Sequence, residues 1–251
     1  MMSHEAILSA GDSNVHRFLV FTAFFLGSYL ILMKSRTWDV SGPKRQIVLA
    51  SASIGSILGA MIPGYFAGEL VGSSTKADVF ENYLYGPKTV IGGLLLGFVL
   101  VALSKKIFKI KAETSDEFVT GTCVLMLIGR VGCFFQHCCY GIVVPSGWGM
   151  DFGDGKSRLP VQLVEAGFVL GLLVFFWNLE TKKKLFDQRF FLFFLLYGVG
   201  RAVLEFLREP IAARALGLGF YQWLSLLLAG IGLYQLCKRT LLNRNRLIGE
   251  F

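Results

Sequence analysis

Residues 190–207 read FFLFFLLYGVGRAVLEFL, an apolar run interrupted by only two charges, Arg201 and Glu205. A helix rises about 1.5 Å per residue, so about 20 such residues cross the roughly 30 Å of bilayer hydrocarbon. Backbone polar groups left unpaired in lipid are too costly, so the run must be helical, and the alternation of a barrel strand is absent from it. Working outward, six more windows of this kind occur, about Phe18–Met33, Gln46–Gly68, Thr89–Ser104, Phe118–Gln136, Pro160–Leu179 and Leu218–Cys237. With 54% hydrophobic residues in a chain of 251, this predicts an all-α, polytopic membrane protein with seven transmembrane helices. The connections are short and hold no linker composition, so residues 1–251 read as a single seven-span domain. The third window is the shortest. It carries Gly92-Gly93 after Gly86-Pro87-Lys88, and is expected to be short, tilted or partly re-entrant.

The net charge of +8 has a direction. Connections 34–45, 105–117 and 180–189 and the tail from 238 hold 16 Lys and Arg, against 7 in the N-terminus to Arg17 and connections 69–88, 137–159 and 208–217. Basic loops stay on the cytoplasmic side, so the N-terminus is expected outside and the C-terminus in the cytoplasm. The basic excess is therefore topological, and no nucleic-acid partner is expected. The N-terminus has no basic flank followed by a short apolar run and a small-residue cleavage site, so the first span reads as a retained anchor. The outer connection 137–159, rich in Gly with Asp151 and Asp154, reads as an ordered lid or rim.

Charged residues within spans are costly and mark function or buried ion pairs. On the sixth span Tyr197, Arg201, Glu205 and Arg208 fall within a wedge of about 80° at 100° per residue. Arg130 lies at similar depth in the fourth span, Gln162 and Glu165 share a face of the fifth beside Arg158, and Lys88 opens the third. The seventh opens with Tyr221-Gln222-Trp223, where aromatic residues mark the interface. Together these form a mainly cationic group near the outer headgroup region. Arginine forks match phosphate oxygens, so an anionic phospholipid headgroup is the expected ligand. The plainer reading is a set of ion pairs, such as Arg201 with Glu205, that fixes helix packing, with Arg158, Arg208 and Lys88 snorkelling.

Five cysteines stand at 123, 133, 138, 139 and 237. Cys123 and Cys237 lie in spans and read as packing thiols. Within GRVGCFFQHCCYG, residues 129–141, Cys133, His137 and Cys138 have a spacing zinc could use, but no fourth ligand is evident and no metal is expected. A vicinal or lid disulfide, reduced packing thiols, and a catalytic thiol at Cys138 beside His137 are the alternatives.

Several segments, taken in order, resemble the bacterial prolipoprotein diacylglyceryl transferase family: Gly92-Gly93-Leu94, Gly129-Arg130-Val131-Gly132 with Gly141, residues 160–165 (PVQLVE), residues 197–210 (YGVGRAVLEFLREP) and residues 222–225 (QWLS). They cover about residues 86–235. The resemblance implies a multi-pass protein of the bacterial inner membrane, its active face toward the periplasm or exterior. It implies transfer of a diacylglyceryl group from phosphatidylglycerol, or another anionic phospholipid, to the cysteine thiol of an exported lipoprotein precursor, with no cofactor. Arg130 and Arg201 would hold the phosphate and Glu205 would orient Arg201 or handle protons, with His137 and Cys138 as further catalytic candidates. Lys88, Gly92, Gly93, Gln162, Glu165, Tyr197, Arg208 and Gln222 would bind substrate. The chain departs from the family pattern at four places. The His before Gly-Gly is Ile91, the Asn after Gly-Arg-x-Gly is Cys133, an acidic residue is replaced within Cys138-Cys139, and the His before Pro160 is Leu159. A different acceptor, or a phospholipid-binding protein without turnover, are the alternatives these departures leave open.

Overall fold

The computed structural model describes residues 4–70, 89–208 and 217–248, with side chains described over 14–62, 89–208 and 217–241. Lys88 lies outside the described residues. Seven α-helices are described: α1 His4–Ser35, α2 Gly42–Leu70, α3 Val90–Ile107, α4 Phe118–Phe135, α5 Val161–Thr181, α6 Arg189–Leu204 and α7 Phe220–Ile248. Among the described residues, seven stretches are long and apolar enough to cross a membrane, one on each helix, the sixth running from Arg189 past the end of α6 to Leu207. Large apolar side chains point away from the protein, Phe18 at 69% and Phe25 at 68% exposure among them, and lipid is the solvent that makes such a surface stable. The chain is an all-α, multi-pass membrane protein.

Two compact units divide it. The first comprises Met1–Lys34, Ser115–Glu209 and Ala229–Phe251, and the second Ser35–Thr114 and Pro210–Leu228.

In the first unit, helices approach closely where side chains are absent. A Cβ on Gly121 of α4 would lie 2.7 Å from the Gly27 carbonyl oxygen of α1, and one on Gly232 of α7 would lie 2.6 Å from the Phe191 carbonyl oxygen of α6. In lipid, where apolar burial gives little net drive, this van der Waals approach is what holds helices together. Aromatic rings fill the space between α5 and α6: Phe193 stacks on Tyr197 with centroids 5.7 Å apart, and Phe168 on Tyr197 at 6.4 Å. The start of α6 is fixed by a carboxylate distant in sequence. Asp116 accepts from the Phe190 backbone N–H at 3.0 Å and from Arg189 Nε at 3.0 Å, and so supplies the negative charge a helix N-terminus favours. At the C-terminal end of α5, Lys34 Nζ donates to Glu180 Oε2 at 2.5 Å and to Thr120 Oγ1 at 2.9 Å, tying α1, α4 and α5 together.

The second unit is built on α2 against α3. A Cβ on Gly55 would fall 2.8 Å from Gly97 Cα, and one on Gly93 would fall 2.9 Å from the Ser56 carbonyl oxygen. Thr89 caps α3, its Oγ1 accepting from Gly92 N–H at 3.2 Å while its own N–H donates to the Ala60 carbonyl at 2.9 Å. The third span is thus a continuous 18-residue helix. Gly55→Leu is expected to overpack α2 against α3 and destabilise the protein by about 1–3 kcal/mol, read as a lower unfolding temperature in detergent.

Connection 137–159 is ordered, as its composition suggests. Strands β1 Met150–Asp151 and β2 Ser157–Arg158 pair antiparallel, a small addition to a helical fold. Their turn uses Gly153 and Gly155 at φ 102° and 71°, with Asp151 Oδ1 accepting both glycine N–H groups.

Candidate functional site

Arg130 sits in the last two turns of α4, Gln162 and Glu165 in the first turns of α5, and Tyr197 and Arg201 in the last two turns of α6. All belong to the first compact unit. The polar stripe expected on one helix face changes form part-way along. Helix α6 ends at Leu204, Glu205 opens a 3₁₀ turn over Glu205–Leu207, and Arg208 is extended. The reason is a competing partner: Gly141 forms an antiparallel bridge with Arg208, which draws that backbone out of helical geometry.

Glu165 is the hub. Its side chain is fully buried, with Arg130 Nη2 at 2.7 Å, Arg201 Nε at 3.4 Å and Arg208 Nη2 at 3.5 Å. Arg201 Nη1 also reaches Glu205 Oε2 at 2.5 Å. Three guanidinium groups face two carboxylates, leaving one positive charge in excess in a place where charge is poorly solvated. Tyr197 is fully buried alongside, within the field of Glu165, Arg130 and Arg201. Gln162 is fully buried too. Its Nε2 donates to the Cys138 carbonyl at 2.6 Å, and its Oε1 has no hydrogen-bond partner among the described residues. Each guanidinium carries five donors, more than these contacts use, so the arrangement can accept a tetrahedral anion without dismantling itself.

Arg158 faces the rim. Its Nε donates to Asp154 Oδ2 at 2.6 Å, its Nη1 to the Gly141 carbonyl at 3.5 Å, and its guanidinium stacks over Tyr140 at 4.7 Å. The hydrogen bond from Arg158 holds the Asp154 carboxyl below the usual carboxylate range. A carboxylate with a depressed folded pKa stabilises the native state above its unfolded pKa, and that contribution is lost as pH falls through the folded value. Acidification is therefore expected to loosen the 141–158 rim, measured by limited proteolysis across pH 2–5. Asp154→Asn is expected to reduce that dependence.

Residues 133–141 wind into the same region. His137 and Cys139 adopt left-handed backbone at φ 54° and 61°, unusual for residues with a side chain. Bonds to the backbone hold the turn: Arg208 Nη2 donates to the Cys139 carbonyl at 3.2 Å, and Gly141 N–H donates to the Leu159 carbonyl at 2.8 Å. The Sγ atoms of Cys133, Cys138 and Cys139 lie within 4.8 Å of one another. The Cys139 thiol is pushed well below its ordinary pKa, first by Cys133 and Cys138 and then by Arg208 and Arg130, whereas Cys138 is pushed up by Cys133. His137 is exposed, its ring edge-on to Phe152 with centroids 5.6 Å apart.

The other expected site residues belong to the second unit. Gly93 lies against α2 as described, and a Cβ on Gly59 of α2 would run into the Gly92 carbonyl oxygen. Ile91 is buried beside them. Gln222 is 4% exposed and its Oε1 accepts from Gly219 N–H at 2.8 Å at the start of α7. The sequence groups Lys88, Arg130, Arg158, Gln162, Glu165, Tyr197, Arg201, Glu205 and Arg208; ion pairs join Arg130, Glu165, Arg201, Glu205 and Arg208, with Tyr197 buried alongside, whereas Arg158 pairs with Asp154 at the rim and Lys88 lies outside the described residues. Sequence reasoning did not identify Glu165 as the common partner, because three residues from separate elements meet there only in the tertiary fold. Nor did it bring all three thiols to one point, which depends on a left-handed residue that spacing does not reveal.

A model of the prolipoprotein diacylglyceryl transferase family matches residues 7–238. Among curated relatives, the phosphatidylglycerol–prolipoprotein diacylglyceryl transferase of Bordetella parapertussis is 34% identical over 62% of this chain and 64% of its own length. A second such transferase of Clostridium perfringens is 30% identical, the match covering 62% of each chain, and that of Aliarcobacter butzleri is 28% identical over 76% of each. The match thus spans under two thirds of the length of the first two relatives. The chain belongs to the prolipoprotein diacylglyceryl transferase family.

Proposed function

We propose that this chain transfers a diacylglyceryl group from phosphatidylglycerol, or another anionic phospholipid, to a cysteine thiol of an exported lipoprotein precursor, at the outer face of a bacterial inner membrane. The observation that carries this reading is the arginine cluster around Glu165, whose guanidinium donors suit the oxygens of an anionic phosphodiester headgroup. In the proposed reaction the acceptor's thiolate sulfur attacks the diacylglycerol carbon that bears the phosphate ester. The S–C bond forms, the C–O bond breaks, and glycerol phosphate leaves with the bonding electron pair. Charge grows on the departing phosphate, so groups already aimed at it lower the barrier without reorganising. Arg130, Arg201 and Arg208 supply those donors. Glu165 positions all three, and Glu205 positions Arg201 from the other side.

A second reading, phospholipid binding without turnover, is favoured by one residue, since Ile91 stands where the family pattern has His. Retention of phosphatidylglycerol against phosphatidylcholine, measured by native mass spectrometry of the purified chain in detergent, tests the receptor itself. Wild type is expected to retain phosphatidylglycerol, and Arg130→Ala to lose it at least tenfold. Equal retention of both lipids by wild type contradicts the proposal. Retention without any transfer supports the second reading.

A further inference from the structure

Three sulfurs converge on one point beside the arginine cluster, from the end of α4 and from a turn held in left-handed geometry. Their Sγ atoms are all within 4.8 Å of one another. Zinc–thiolate bonds of about 2.3 Å imply sulfur separations near 4 Å in a trigonal or tetrahedral shell, so small rotations of these side chains close the shell. The backbone that carries the sulfurs is already fixed: Cys138 N–H donates to the Cys133 carbonyl at 3.2 Å, and buried Gln162 and Arg208 hold the Cys138 and Cys139 carbonyls. His137 is not among the clustered ligand atoms, and Cys139 is exposed. Three protein ligands with one side open to solvent is the pattern of a metal site that keeps a position for a substrate, whereas structural zinc sites close with four.

We propose that Cys133, Cys138 and Cys139 bind a thiophilic divalent cation, zinc by its chemistry, and that the open fourth position takes the acceptor's thiol as thiolate. Sulfur ligands select such a cation over hard ions. Three thiolates and a divalent ion leave one negative charge, offset by Arg208 and Arg130, both close enough to act electrostatically on Cys139. The first part of the proposal stands on the sulfur geometry alone. The second rests on the transferase reading. On binding, the acceptor thiol gives its proton to solvent and its sulfur bonds the metal. That sulfur then forms the S–C bond as the C–O bond breaks, glycerol phosphate carries away the electron pair, and the neutral thioether product releases its bond to the metal, which reopens the fourth position. A metal-held thiolate answers the question Ile91 raises, because the acceptor then needs no imidazole to lose its proton.

The test uses the full chain, reduced and metal-free in detergent, titrated with Cd²⁺ and separately with Co²⁺. One equivalent of Cd²⁺ is expected to produce a thiolate-to-metal charge-transfer band, weakened at least tenfold in affinity by C133S, C138S or C139S and unchanged by C123S or C237S. With Co²⁺ bound, a peptide containing the lipobox cysteine is expected to raise the thiolate-to-cobalt band by about a third, as three sulfur ligands become four, and its Cys→Ser form is not. No band, a band that survives all three serine variants, or a chain that isolates quantitatively with a disulfide among these cysteines overturns the metal site. An unchanged cobalt spectrum with the peptide overturns the fourth position. Metal binding that persists while no diacylglyceryl transfer is detected counts against the transferase reading and leaves the metal site standing.

Discussion

Arg201→Ala is expected to lower the proposed transfer by about 10²–10³-fold, the usual loss when one preorganised donor is removed from a developing negative charge. The size of the effect follows from position. Arg201 is buried between Glu165 and Glu205, with Nε toward one and Nη1 toward the other, so its fork is aimed before any lipid arrives. Removing it also leaves Glu205 without its buried partner, and loss of activity could then reflect damage to the fold. Arg201→Lys separates the two causes. A lysine keeps a positive charge near the carboxylates, and hence the unfolding temperature, but has no planar fork for two phosphate oxygens. Transfer is expected to stay at least tenfold below wild type in Arg201→Lys, measured as thioether product per minute at saturating lipid.

The second large effect concerns stability. Glu165→Ala removes the partner shared by Arg130, Arg201 and Arg208 and leaves guanidinium groups buried against one another. Breaking a buried ion pair by deleting one member costs about 3–5 kcal/mol, because the other charge stays uncompensated. Thermal unfolding of the purified chain in detergent is expected to move down accordingly, with Glu165→Gln in between. A headgroup with net negative charge supplies the missing charge, which phosphatidylglycerol has and zwitterionic phosphatidylcholine lacks. Phosphatidylglycerol is therefore expected to restore part of the unfolding temperature of Glu165→Gln, and phosphatidylcholine to restore less. If Glu165 were only a packing element unrelated to anion binding, the two lipids would act alike.

Much of this architecture was legible in the chain because lipid is an unforgiving solvent. Seven long apolar windows permit only helices, and all seven were found. The placement of Arg130 and Arg201 followed from counting residues along two of those helices. Three features were hidden because they depend on contacts between elements. Glu165 reads as one more polar residue on α5 until α4, α6 and the extended residue Arg208 are packed around it. Arg208 reads as the next step of a helical stripe until Gly141 pulls it into an extended bridge. Cys139 reads only as the neighbour of Cys138, open to a vicinal disulfide, until its left-handed backbone is seen and its sulfur is found near that of Cys133 as well. The capping of α6 by Asp116 was hidden for the same reason, since 73 residues separate that carboxylate from Arg189.

The central claim is that the arginine cluster around Glu165 serves group transfer and does more than hold a lipid. The most direct measurement is the mass of a lipobox peptide after incubation with phosphatidylglycerol and the purified chain. The account predicts a peptide carrying one diacylglyceryl thioether, with glycerol phosphate released in equal amount, and no such product with Arg201→Ala. An unmodified peptide, under conditions where the Bordetella parapertussis relative modifies it, would contradict the account.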